Sequence, residues 1–216
     1  MRNIAIVGGI KTGKSSLVDA LLSENPNIHR ISMANYGIRI PMTLITQGYP
    51  DLLELPKPEY IKTILANQEI PLIEIKGKRR EIYTFKTDVR EKYGPTIMAE
   101  TTLQALHSGV QNLVDHVAGV NDALSFKRQG FYIVGLYCNF DAKLRRCLRG
   151  KDIDPRDRSR LEALQSHIVA SDLYLEANKT IQLANAIYDT SRISTEYCQE
   201  IAREILKAAR KRPKRP

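Results

Sequence analysis

A chain of 216 residues, 43% hydrophobic and 26% charged, has the apolar content for one α/β domain core and too much of it for wholesale disorder. The formal net charge of +9 is lopsided: Lys207, Arg210, Lys211, Arg212, Lys214 and Arg215 place six positive charges in the last ten residues, leaving +3 for the rest. No apolar run approaches the ~18–20 residues of a membrane span, the chain enters its first strand with no signal-peptide pattern, and Cys138, Cys147 and Cys198 form no CxxC. Reduced thiols in a cytoplasmic protein are expected.

Ile4-Ala5-Ile6-Val7 reads as a short buried strand. It feeds Gly8-Gly9-Ile10-Lys11-Thr12-Gly13-Lys14-Ser15, which fits the phosphate-loop pattern G-x-x-x-x-G-K-[ST] at every fixed position, and Ser16 onward continues with helical spacing. Glycines at 8, 9 and 13 let the backbone curl so that successive N–H groups point at phosphate oxygens. The helix starting near Lys14 adds its positive end to the same place. In this pattern Lys14 reaches the terminal phosphates and the Ser15 hydroxyl takes one Mg²⁺ position. The whole stretch from Gly8 to Ser16 is expected to bind a nucleoside triphosphate. Asn178-Lys179-Thr180-Ile181 lacks the aspartate of a guanine-reading N-K-x-D, so ATP is preferred.

Four more apolar runs read as strands: 28–33, 113–117, 131–137 and 186–188. Helical spacing falls between them at 15–24, 96–107, 122–129, 141–149, 157–177 and 194–209. Such alternation predicts a three-layer α/β/α fold on a five-stranded parallel sheet, with the ligand outside the carboxyl ends of the strands. Residues 35–95, broken by Pro41, Pro50, Pro56, Pro58 and Pro71, form an insertion over that edge. Within it, 59–68 looks helical. Segment 71–86 reads either as a hairpin through Gly77 or as the start of a helix over 80–92, and the helix is preferred.

Seven basic residues, Arg145 to Arg160, cluster in sixteen positions around Gly150 and Asp154-Pro155. Arg145, Arg149 and Arg156 read as a basic lid, about 149–157, that closes over a triphosphate. Arg146 and Arg160 read as ordinary exposed helix charges. A single domain would then span 1–206. Residues 207–216 would form a basic tail, disordered beyond its helix, that solubilises the chain or touches nucleic acid or an acidic partner.

The order of motifs resembles dephospho-coenzyme A kinases and phage-type deoxynucleoside monophosphate kinases, P-loop nucleotide kinases of the adenylate-kinase-like class. Ile31-Ser32-Met33-Ala34-Asn35 is similar to their I-S-F-A-D segment. Thr87-Asp88-Val89-Arg90 is similar to G-T-x-x-R, Val117-Ala118-Gly119-Val120-Asn121 to I-D-G-V-R, and Ala184 to Ser191 to A-D-x-V-I-x-N. The resemblance implies an ATP- and Mg²⁺-dependent transfer of the γ-phosphoryl group to a small phosphorylated acceptor, a nucleoside monophosphate first. It implies that Arg90 contacts the acceptor's phosphate, that Ser32 and Asn35 border the acceptor pocket, and that Tyr36 stacks on the acceptor base. It also implies that Arg145 and Arg149 act from the lid, with Thr190 or Ser191 lining the adenine pocket.

Three positions depart from that pattern: Asn35 and Ala118 stand where the family has aspartates, and Asn121 where it has arginine. Strand alternation puts Asp115 on the wrong face to replace a carboxylate at 118. Asp122 is the better substitute, and His116 reads as a packed core group. The departures leave a second reading open, an ATP-binding protein with impaired chemistry whose closed form a partner or nucleic acid reads. A hydrolase such as a GTPase ranks third.

Overall fold

The computed structural model describes residues 1–74, 79–117, 119–149, 158–174 and 176–211. Five strands, β1 (Ile4–Gly8), β2 (His29–Ser32), β3 (Asn112–Val117), β4 (Tyr132–Tyr137) and β5 (Ala186–Asp189), make one parallel sheet in the order β2-β3-β1-β4-β5. Helices cover both of its faces, which is why the strands read as apolar runs rather than alternating ones.

The pleat divides the core. Ile4 and Ile6 of β1 pack with Leu17 and Leu21 of α1 (Lys14–Glu24) and with Ile201 and Ile205 of α10 (Thr195–Arg210). Ala5 and Val7 point the other way, into a larger cluster with Phe126 of α6 (Val120–Arg128) and the insertion. Each fully buried side chain of this size contributes ~1.5–3 kcal/mol.

All the regular elements of the insertion's described residues are helical. A π-helical turn (Asn35–Arg39) leads into α2 (Ile40–Gln47), a 3₁₀ turn (Pro50–Glu54), α3 (Lys57–Ala66), α4 (Arg79–Tyr93) and α5 (Ile97–Gln104). Phe85, Val89 and Tyr93, four apart on α4, are all buried in the larger cluster. That spacing selects helix over hairpin here. On the far side, α7 (Phe140–Leu148) and α8 (Arg158–Tyr174) share a small cluster of Cys147, Leu164 and Ile168 against Ile10. The helix expected over 157–177 is α8, which runs to Tyr174, and a further helix, α9 (Ala177–Gln182), starts after Glu176, whose φ of 46° is left-handed.

At the other end, α10 runs past residue 206. Ala209 is fully buried, and its carbonyl accepts a hydrogen bond from the Arg2 amide at 2.9 Å. Residues 207–210 therefore belong to the fold, and 212–216 lie outside the described residues, as do Ala118 and lid positions 150–157, Arg156 among them. Among the described residues no helix is long and apolar enough to cross a membrane.

Candidate functional site

The loop between β1 and α1 takes the shape its glycines permit. Gly8 (φ 152°) turns the chain where a Cβ would lie 2.8 Å from the Leu136 carbonyl oxygen. Gly13 (φ 83°) caps α1 where a Cβ would meet Ile193 at 2.8 Å. No side chain caps α1 and no acid lies in its first turn. By contrast Asn139 caps α7 and Ser194 caps α10, each accepting from a backbone N–H. The first amides of α1 thus lack the side-chain oxygen that α7 and α10 have, which suits an anion.

The loop is braced from behind. The Thr12 hydroxyl donates to the Gly9 carbonyl at 3.1 Å. The buried Thr190 hydroxyl lies 2.8 Å from both the Thr12 and Tyr137 carbonyl oxygens. Lys14 Nζ donates to the Gly8 and Gly9 carbonyls at 2.9 and 2.6 Å.

In front of the loop lies a cleft of about 980 Å³. The loop from Ile10 to Ser16 forms its floor. Ile82, Tyr83 and Lys86 of α4 form one wall, His116 of β3 the back, and Arg146, Arg149, His167, Ser171 and Ile193 the opposite wall. Lys11, Lys14, Lys86, Arg146 and Arg149 bring positive charge, and among the described residues no carboxylate lines the cleft. Lys86 is almost wholly buried. Burial, with Arg90 nearby and against the pull of Asp122, lowers its pKa to about 8.

The expected site residues divide into groups. Residues 10–16 and Arg149 line the cleft, and Gly8 and Gly9 form the strand-side turn of the same loop. Arg145 is exposed and outside the lining, whereas Arg146, expected to be an idle surface charge, is half-buried. Its guanidinium donates to the Lys11 carbonyl at 2.8 Å and to the Thr190 carbonyl, joining lid helix, loop and the turn after β5. Thr190 faces the back of the loop rather than the cleft. The Ser191 hydroxyl donates to Asp189 at 2.6 Å and accepts from the Asn139 amide at 2.9 Å.

Arg90 is ion-paired at 2.8 Å with Asp122, whose side chain is fully buried. Burial pushes the Asp122 carboxyl up to about 6 against the pull of Arg90 and Lys86. Asn35 accepts from Arg39 at 3.4 Å, and Tyr36 donates to Gln68 at 3.0 Å.

β3 departs from regular alternation. Ala5 pairs with Val114 but Val7 pairs with Val117, so β3 spends one residue more than β1 over this stretch. His116 sits in the irregularity at φ 57°, exposed and lining the cleft rather than packed in the core. Its Nδ1 lies 2.7 Å from Asp115 Oδ1 and 3.4 Å from the Ser32 hydroxyl. Arg30 grips Asp115 Oδ2 through Nε at 2.8 Å and a terminal nitrogen at 2.7 Å. Burial alone would raise the Asp115 carboxyl, but the hydrogen bonds and charges of His116 and Arg30 hold it below its ordinary value.

Among the described residues no cluster of three His, Cys, Asp or Glu is placed to hold a metal ion. A Mg²⁺ here would rest on the exposed Ser15 hydroxyl, phosphate oxygens and water. The loop, its uncapped helix and the surrounding cations fit a magnesium-bound polyphosphate.

No protein-family model matches the sequence, and no curated protein matches it. Solved structures do. The protein TT1252 from Thermus thermophilus superposes with a TM-score of 0.55 at 12% identity, over 97% of this chain and 98% of its own. Shikimate kinase from Bacteroides thetaiotaomicron superposes with a TM-score of 0.53 at 13% identity, over 95% and 98%. The likeness is one of fold: this chain, an α/β protein on a five-stranded parallel sheet, shares its fold with them.

Proposed function

We propose that the protein is an ATP- and Mg²⁺-dependent phosphotransferase that moves the γ-phosphoryl group to a small phosphorylated acceptor. One observation carries the reading: a phosphate loop floors a cleft that several cations and no described carboxylate line. Phosphoryl transfer demands little else of a protein than clamped phosphates and positive charge over the transferring group. Bound Mg²⁺ supplies further charge neutralisation across the phosphates. Lys14 exchanges its loop carbonyls for phosphate oxygens, Ser15 serves the metal, and Arg149 and Arg146 close from the lid side. Arg146 and Ile193, which share one wall, suit an adenine face better than Thr190 does. The α4 wall, with Lys86, faces the acceptor, and Arg90 one turn further on holds Asp122 behind it.

The scarcity of carboxylates also favours a second reading, an ATP-binding protein with impaired chemistry. Coupled ADP release with nucleoside monophosphates, dephospho-coenzyme A and shikimate separates the two. Acceptor-dependent turnover above ~1 s⁻¹ supports the phosphotransferase; tight Mg·ATP binding without it supports the alternative. Under both, Lys14→Ala abolishes Mg·ATP binding measured by calorimetry, and its retention sinks both.

A further inference from the structure

The missing strand-end carboxylate has a replacement built from β3's irregularity. An L-residue at left-handed φ is uncommon away from glycine and asparagine. Among the described residues only Lys11, His116 and Glu176 adopt it, and the first two line the same cleft. The turn brings His116 out of the core to the back of the cleft that Lys14 and Lys86 also line. Behind the ring, the 2.7 Å contact from Nδ1 to the buried Asp115 fixes the tautomer. Asp115 is an acceptor held ionised by Arg30, so Nδ1 carries the proton and Nε2 keeps its lone pair. A lock between β2 and β3 is complete with Arg30 and Asp115 alone and has no use for an exposed imidazole in an unfavourable backbone conformation.

We propose that His116 is the general base of the transfer and that the acceptor's nucleophile is therefore a hydroxyl group, not its phosphate. This rests on the phosphotransferase reading. A hydroxyl oxygen bonds to the γ-phosphorus as the bond from that phosphorus to the β,γ-bridging oxygen breaks, and the electron pair leaves on ADP. The hydroxyl proton passes to Nε2, and Asp115 stabilises the resulting imidazolium. Lys14, Lys86, Arg146 and Arg149 share the cleft with His116 and bring the positive charge that the transferring group needs. A nucleophilic phosphate arrives already ionised and gives such a base nothing to do. Asp115 and Arg30 are positioning residues.

ADP release is measured for the wild type, His116→Gln and Asp115→Asn with hydroxyl acceptors (shikimate, dephospho-coenzyme A, deoxynucleosides) and with nucleoside monophosphates, alongside calorimetric Mg·ATP affinity. The expected result is turnover on a hydroxyl acceptor, with kcat falling about 10²–10⁴-fold in His116→Gln. KM and Mg·ATP affinity stay unchanged, and the acidic limb of the pH–kcat profile disappears. Asp115→Asn falls in the same direction. Turnover through an acceptor phosphate, or an unaltered kcat in folded His116→Gln, overturns the inference while leaving the phosphotransferase standing. A wild type that fails to bind Mg·ATP overturns the phosphotransferase itself. If no acceptor in the panel turns over, ¹⁵N NMR of the Mg·ATP complex decides. Protonated Nδ1 with bare Nε2 upholds the base, and any other protonation state removes it.

Discussion

Thr190 shows how one hydroxyl can set the shape of a loop far away in sequence. Its oxygen is buried against the Thr12 and Tyr137 carbonyls, fixing the phosphate loop to the turn after β5. Thr190→Val keeps the volume and removes the hydroxyl donor from the buried Thr12 carbonyl at ~1–3 kcal/mol, while the Tyr137 carbonyl keeps the residue-190 amide. The expected outcome is a lower urea midpoint together with a several-fold weaker Mg·ATP Kd, both recovered in Thr190→Ser. A Val variant that binds as tightly as wild type would show that the loop keeps its shape without the brace. The loop itself was legible because its determinants lie in eight consecutive residues. The brace and the Arg146 bridge were not, since their partners lie 178 and 135 positions away and no local pattern records them. For the same reason Thr190 read as an adenine contact and Arg146 as an idle charge.

At the scale of elements, α4 is tied to α6 by one buried ion pair. Arg90 on α4 neutralises Asp122 on α6, a charge with no exposed side-chain surface. Arg90→Ala should therefore cost ~3–5 kcal/mol in chemical denaturation by stranding that carboxylate. Arg90→Ala with Asp122→Asn should recover most of the loss, and equal costs for the single and double variants would deny the coupling. Any acceptor KM effect of Arg90 must be read in the double variant, where the fold is intact. Lys86, one turn earlier, adds a pH dependence. With its pKa lowered to about 8, it loses its proton between neutral and mildly alkaline pH, and the cleft loses a cation. Mg·ATP affinity should weaken from about pH 7 to about pH 9 in the wild type and less so in Lys86→Met. Identical slopes would exclude Lys86 from the anion's surroundings. The α4 helix was legible from its four-residue apolar spacing. The β3 irregularity was not, because alternation presumes a straight strand, and His116 read as core only because an imidazole beside a strand usually packs there.

Across the whole molecule, the parallel sheet was legible because burial on both faces makes its strands near-continuous apolar runs. The break between α8 and α9 was not, as it turns on the backbone of Glu176 rather than on a glycine or proline. The same topology separates stability from chemistry. The cleft sits at the carboxyl ends of the strands, whereas His29, the first residue of β2, stacks on His107 at the amino ends with ring centroids 3.7 Å apart. Burial, and then the charge of His107, lowers the His29 pKa below its ordinary 6.5. As pH falls through that ordinary value the unfolded chain takes up a proton that the folded chain resists, so stability declines until the folded pKa is passed. Asp115, held below its ordinary 3.8, loses its contribution only at lower pH as its carboxylate is protonated, so the two windows separate. The part of the urea midpoint's pH dependence that His29 carries should therefore fall from about pH 7 to about pH 5.5, opposed near pH 6 by the raised Asp122 carboxyl, while Lys86 lifts the midpoint above about pH 8. His29→Gln should flatten that segment, and His107→Gln should make it shallower. Mg·ATP affinity should respond to neither variant, because both rings lie at the end of the sheet remote from the phosphate loop. An equal slope in wild type and His29→Gln would show that the stacked pair carries no proton linkage.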